Sequence, residues 1–299
     1  MSLLRRIQGV ALGGVLFLAA SQALAVETTS INAQAFMPPV DPYGYITLNG
    51  ARSLKGFAHM HAALYFNWAH DPFEIEDLGA GVPDIKVIEN VSMVDLNVGL
   101  GILAFGNGGL EVGFDLPMAV NIDDGRFTAL DDTAFGDLRT DVKLTLLDRE
   151  EDVLGVAFRG SVTWPTGDDG NFLSNGDNVN WIVTAIVEKK AGIVRLGVEV
   201  GFEKFRYSFN PGIFQIDDKV HLGAGLGIEL VKDLELVAEI QHTTRWENPW
   251  DHEVESPIEF GGAIRYSATP FFLAGASGGL NDGVGAPDSR FFFALGVTF

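Results

Sequence analysis

The stretch AHMHAALYFNW, Ala58 to Trp68, decides the fold class. Its even positions, Ala58, Met60, Ala62, Leu64, Phe66 and Trp68, are apolar, while the odd ones, His59, His61, Ala63, Tyr65 and Asn67, are polar, small or amphipathic. A period of two belongs to an extended strand, whose successive side chains point to opposite faces. Moving outward, the same alternation returns at 88–102, Leu110 to Met118, 136–147, 153–164, 178–188, 193–206, 219–230, 234–246, 257–267, 270–279 and Arg290 to Phe299. The segment at 270–279 is the weakest of these, because its alternation is blurred. The spacing predicts twelve strands. Their connections alternate between about 3–6 residues, near 103, 148, 189, 231 and 268, and about 8–18 residues, near 70, 121, 165, 207, 247 and 280.

Short turns on one rim, long loops on the other and an even strand count predict an all-β, antiparallel, up-and-down transmembrane β-barrel. A β-sandwich also alternates, since it hides one face of each sheet against the other. The tryptophans separate the two. Trp68, Trp164, Trp181 and Trp246 all fall on the apolar parity beside a long loop. An aromatic girdle at a lipid–water boundary collects indoles at one level, and a sandwich core has no reason to.

Composition agrees with that class. The 299 residues hold 40 acids and 20 bases, a formal charge of -20, with 47% hydrophobic residues, 36 glycines, 22 phenylalanines and no cysteine. So acidic a chain repels phosphate backbones, which argues against a nucleic-acid partner. The lack of cysteine excludes thiolate catalysis, thiolate metal sites and disulfides. Residues 1–25 read as a secretory signal peptide: Arg5 and Arg6, an apolar run from Val10 to Ala20, then Ala23-Leu24-Ala25. That apolar run is short for a membrane anchor of roughly 20 residues. Residues 26–56, with Pro38, Pro39 and Pro42, read as an extended N-terminal segment, either periplasmic or a partial plug. Residues 57–299 form the expected outer-membrane barrel.

The polar parity should line the lumen. It carries Asp95, Glu111, Asp115, Arg139, Asp141, Lys143, Arg159, Arg195, Glu199, Glu203, Glu229, Glu239, Arg245 and Arg265 as a candidate solute path. With Glu89, Asp137, Glu188, Glu235, Glu259 and Arg290 added, thirteen acids face seven bases. An acidic excess favours cations in an aqueous path. Ion pairs that fill the lumen would instead give a closed barrel. Inward glycines such as Gly99, Gly113, Gly197, Gly223, Gly225 and Gly227 leave room, which points to a narrow pore. On this reading Leu226→Arg, on the lipid face, is costly and Gly225→Ser, in the lumen, is mild.

The expected function is therefore a passive channel for small solutes, cation-leaning or small organic. The alternative is a closed barrel for envelope integrity, displaying acidic loops. No catalytic residue is expected. The rim dipeptides His70-Asp71 and Asp251-His252 have the residue types that activate water in barrel proteases, but such pairs arise easily in an aspartate-rich chain. No Ser–His pair with a third orienting group is evident on adjacent strands. His59 and His61 share a parity and lack an evident third metal ligand, so hydrogen bonding is the expectation. Asp168-Asp169-Gly170-Asn171 lacks the terminal glutamate of a calcium loop. No cofactor or metal is expected, apart from divalent cations at long-loop acids such as Asp71, Asp123, Asp124, Asp168, Asp169, Asp251 and Glu253.

Four pieces carry a family resemblance: LYFNWAHDPF (Leu64 to Phe73), GDLRTDVKLTLL (Gly136 to Leu147), WPTGDDGNFLSNG (Trp164 to Gly176) and GAPDSRFFFALGV (Gly285 to Val297). In order and spacing they resemble the barrel part of the OmpA-like outer-membrane proteins of deltaproteobacterial type. They are also similar to the related barrel family of the phenol meta-pathway. The resemblance implies outer-membrane lipid and lipopolysaccharide as surroundings, and barrel-assembly machinery that reads a terminal strand such as the one ending at Phe299. OmpA-like relatives often continue into acidic calcium-binding repeats and a peptidoglycan-binding domain, for which this sequence shows no residues.

Overall fold

The structure, a computed structural model, describes residues 36–75, 85–123, 133–168, 173–174, 178–204, 217–250, 256–281, 283 and 285–299. The expected signal peptide and much of the long-loop acid lie outside these residues, Asp124, Asp169, Asp251 and Glu253 among them.

The strands are β1 (Met60–Ile75), β2 (Ile85–Phe105), β3 (Gly108–Asp123), β4 (Ala134–Phe135), β5 (Leu138–Leu147), β6 (Gly155–Trp164), β7 (Asn180–Ala191), β8 (Val194–Lys204), β9 (Lys219–Val231), β10 (Leu234–Arg245), β11 (Ile258–Tyr266), β12 (Phe271–Gly279) and β13 (Ser289–Thr298). Every pairing is antiparallel, and β1 closes on β13 in the register Leu64↔Leu295, Phe66↔Phe293, Trp68↔Phe291. β4 is a two-residue pairing against β3 at the rim and adds no stave, so the wall has twelve. The blurred 270–279 segment forms a regular strand, because it pairs on both sides.

The tight turns fall where the chain accepts a left-handed residue. Gly106, Gly192 and Asp233 all have positive φ in the turns β2–β3, β7–β8 and β9–β10. Two hairpin strands differ from expectation: β1 and β2 pair beyond the neighbouring staves as far as Ile75↔Ile85. Trp68 consequently lies within β1 rather than at its end, although it is still level with Phe291 near the start of β13. Trp164 ends β6, Trp181 is the second residue of β7 and Trp246 follows β10. Trp181, Phe202 and Trp246 make one aromatic chain, with ring centroids 6.0 and 5.5 Å apart.

The outward parity is exposed and apolar: Leu64, Phe114, Phe158, Val183, Val198, Phe260 and Phe293 are each more than a third accessible. So broad an apolar band on a closed sheet is the surface of a barrel made for lipid. The buried side chains lie inside, together with residues 36–56.

Candidate functional site: the occupied lumen

Of the fourteen expected lumen residues, Asp95, Glu111, Asp115, Arg139, Asp141, Lys143, Arg159, Arg195, Glu199, Glu203, Glu239, Arg245 and Arg265 are buried on the inward parity. Glu229 differs. It sits at the short-turn rim, about one third exposed, 3.2 Å from Lys190. Beside it Lys190 also reaches Glu150, 3.2 Å away. Partial burial opposes ionisation of Glu150, but Arg149 and then Lys190 hold its carboxyl below the usual carboxylate range.

What the wall charges meet is the N-terminal segment. The backbone N–H groups of Ile46, Thr47 and Leu48 donate to Glu239 of β10 at 2.7, 3.0 and 3.1 Å. Asn49 N donates to Glu199 of β8 at 2.9 Å, and Ala51 N to Glu188 of β7 at 2.7 Å. Ser53 N reaches Asp148 on the β5–β6 turn at 3.3 Å, and Leu54 N reaches Glu111 of β3 at 2.9 Å. Residues 46–54 therefore follow the wall from β10 back to β3, against the order of the strands.

The bases take the carbonyls. Arg195 donates to Tyr43 O (3.3 Å) and Gly44 O (3.1 Å). Arg149 donates to Tyr43 O (3.0 Å), and Arg139 to Pro38 O (2.5 Å). Lys143 donates to Gly50 O (3.3 Å) and Arg52 O (2.8 Å), and is paired with Asp41. The same bases are tied to wall acids: Arg195 to Glu188 at 2.6 Å and Glu235 at 2.8 Å, and Arg139 to Asp141 at 2.9 Å. A buried backbone with no sheet partner needs such groups, since an unmet peptide N–H or C=O is costly.

The inward glycines serve the same segment. A Cβ on Gly225 would lie 2.4 Å from the Tyr45 ring, one on Gly223 2.3 Å from Leu48, and one on Gly99 2.1 Å from Val40 O. The room they leave is occupied by residues 40–48. Gly225→Ser is therefore not mild, contrary to the sequence-based expectation. On the other side of the lumen the wall carries an apolar cluster: Ala263, Phe271, Leu273, Phe292, Ala294, Ala63 and Tyr65 pack with Phe36, Tyr45, Ile46 and Leu48. Phe36 stands 5.5 Å from the Phe292 ring.

Other candidates fall elsewhere. His61 is buried, 3.3 Å from Thr298 Oγ1 and edge-on to Phe271, whereas His59 is exposed ahead of β1. Asp71, expected on a loop, is buried in the β1 extension. A hydroxyl–His–carboxylate chain, not evident in the sequence, crosses three strands: Thr243 Oγ1 lies 3.1 Å from His221 Nδ1, and His221 Nε2 lies 2.7 Å from Glu203. Its signal in the sequence is the shared inward parity of His221 and Glu203, with threonine in place of serine.

No protein-family model matches the chain, and no curated protein matches it by sequence. The OmpA-like resemblance thus has no sequence family behind it. Among solved structures, an outer membrane channel from Pseudomonas putida F1 matches with a TM-score of 0.66 and 15% identity, over 82% of this chain and 96% of that one. The NanC porin matches at 0.50 and 8% identity, over 80% of this chain and 98% of the porin. At such identities the shared property is the fold, a closed barrel of the outer-membrane type.

Proposed function

We infer that the protein is an outer-membrane channel for small solutes, whose conductance is set by residues 36–56. The carrying observation is how the lumen is filled. Narrow barrels fill with their own wall side chains. Here the wall is pared to glycine at Gly99, Gly223 and Gly225, and a separate piece of chain, held by side chain–backbone hydrogen bonds, occupies the space. A filling that is not part of the wall can move while the wall stays intact. Both solved neighbours described above are themselves named as an outer membrane channel and a porin, which supports the same reading. So does the resemblance to the phenol meta-pathway barrels. The acidic wall makes the path cation-leaning once the segment is displaced. Lipid and lipopolysaccharide surround the apolar band, and the strand ending at Phe299 is the natural handle for assembly machinery.

The closeness of the grip on residues 46–54 favours a second reading, a permanently closed barrel of structural role. Planar-bilayer conductance separates the two. Wild-type protein should give small or rare steps, and a deletion of residues 36–56 large steady ones that prefer cations. Glu239→Gln, which weakens the hold on Ile46, Thr47 and Leu48, should raise the open fraction. A folded deletion protein that passes no current leaves only the structural reading.

A further inference from the structure

We propose that His70, Asp71 and Asp288 form a binding site for one Zn²⁺-class divalent ion on the long-loop rim, at the seam where β1 meets β13. One ligand atom from each of the three residues lies within 4.8 Å of the others, and His70 Nε2 is 3.3 Å from Asp71 Oδ2. A tetrahedral ion with ligands about 2.0–2.2 Å away sets neighbouring ligand atoms about 3.3–3.6 Å apart, so that pair already has the spacing of one edge. An imidazole and two carboxylates are the donor set of borderline ions rather than of calcium, which takes oxygens alone.

Three further features point the same way. Consecutive residues of a strand face opposite sides, so His70 and Asp71 should not converge. They do because Asp71 is left-handed, with φ of 49°, where the β1–β2 register shifts between His70 and Phe73. Aspartate tolerates that region better than most residues. Secondly, the turn bearing Asp288 is fixed against the same spot: Gly285 N donates to Pro72 O at 3.1 Å, and the adjoining Ser289 pairs with His70. Thirdly, the tautomer of His70 is set from behind. Asn90 Nδ2 donates to Asp123 at 3.2 Å, which turns Asn90 Oδ1 toward His70 Nδ1 at 3.0 Å. An acceptor there places the imidazole proton on Nδ1 and aims the Nε2 lone pair at the carboxylates. Metal-bound histidines are oriented in this way by a second partner.

The test is calorimetric titration of chelator-stripped, detergent-folded protein with Zn²⁺, with Co²⁺ absorbance as a second reading of coordination. One saturable equivalent is expected. Asp288→Asn, at an exposed position, and His70→Ala should each weaken it by at least about tenfold, and Asn90→Ala, a positioning change, by about 10–100-fold. His59→Ala, at the opposite rim, should leave it unchanged. Trp68 stacks on the His70 ring at 6.0 Å, so Co²⁺ should quench its fluorescence in the wild type and not in His70→Ala. Heat-modified gel migration shows that each variant is folded. Binding that is absent, that survives both ligand substitutions, or that Ca²⁺ matches at equal concentration overturns the proposal.

Discussion

Two arcs of the lumen wall hold the same N-terminal segment by different physics. From β3 round to β10 the wall is charged, and it meets backbone: Glu111, Glu188, Glu199 and Glu239 each take at least one peptide N–H. From β11 round to β1 it carries an apolar cluster beside Arg265 and the Arg290–Glu259 pair, and that cluster meets side chains, as Phe292 meets Phe36. Hydrogen bonds to a fixed carboxylate specify direction and register, whereas apolar packing is non-directional and follows area. The charged arc therefore decides where the segment sits, and the apolar arc supplies a surface against which it rests.

The largest test of that division is Arg195→Met. Arg195 joins buried Glu188 and Glu235 to the carbonyls of Tyr43 and Gly44, and its guanidinium lies 3.8 Å over the Tyr45 ring. In this variant Glu188 keeps Arg149 and Glu235 keeps Arg265, but several charge-assisted hydrogen bonds are lost and Gly44 O is stripped of its donor, together a cost of about 3–5 kcal/mol. Urea midpoints in reversible refolding should show it; a shift below about 1 kcal/mol would mean that the charged arc is not the organiser. Next comes Gly225→Ser, which presses a new atom on Tyr45 and should cost about 1–3 kcal/mol by overpacking. Its conductance should rise as the segment is displaced, and an unchanged protein by both measures would mean that Tyr45 lies elsewhere. The smallest is Phe292→Leu on the apolar arc, expected at about 1 kcal/mol with the register of residues 46–54 retained. Hydrogen exchange at those amides reads it: protection should fall in Arg195→Met and hold in Phe292→Leu. Equal loss in both would erase the distinction between the arcs.

The wall was legible in the sequence because period two is a strong signal wherever one face is lipid and the other is not. The same parity placed Glu199, Arg195 and Glu239 inside. What parity does not encode is a partner without periodicity. Residues 36–56 carry no repeat, and the groups that Glu239 binds are peptide N–H groups, which every sequence has. Two signals were nonetheless present. Gly223 and Gly225 alternate on one strand, and they mark close approach by Leu48 and Tyr45 rather than open space. The inward excess of acids over bases, taken alone as cation preference, is in part a set of acceptors for backbone donors.

The reversed winding of residues 46–54 has a consequence for the order of events during assembly. Ile46 is 193 residues from Glu239, whereas Leu54 is only 57 from Glu111. The part of the segment nearest to β1 in sequence needs only the third strand for its carboxylate, and the part farthest from β1 needs the tenth. Contacts of longer sequence separation form more slowly, so docking is expected to run from Leu54 toward Ile46. In pulse-labelled refolding, the Leu54 amide should gain protection before that of Ile46, so the segment keeps a clock of how far the barrel has grown.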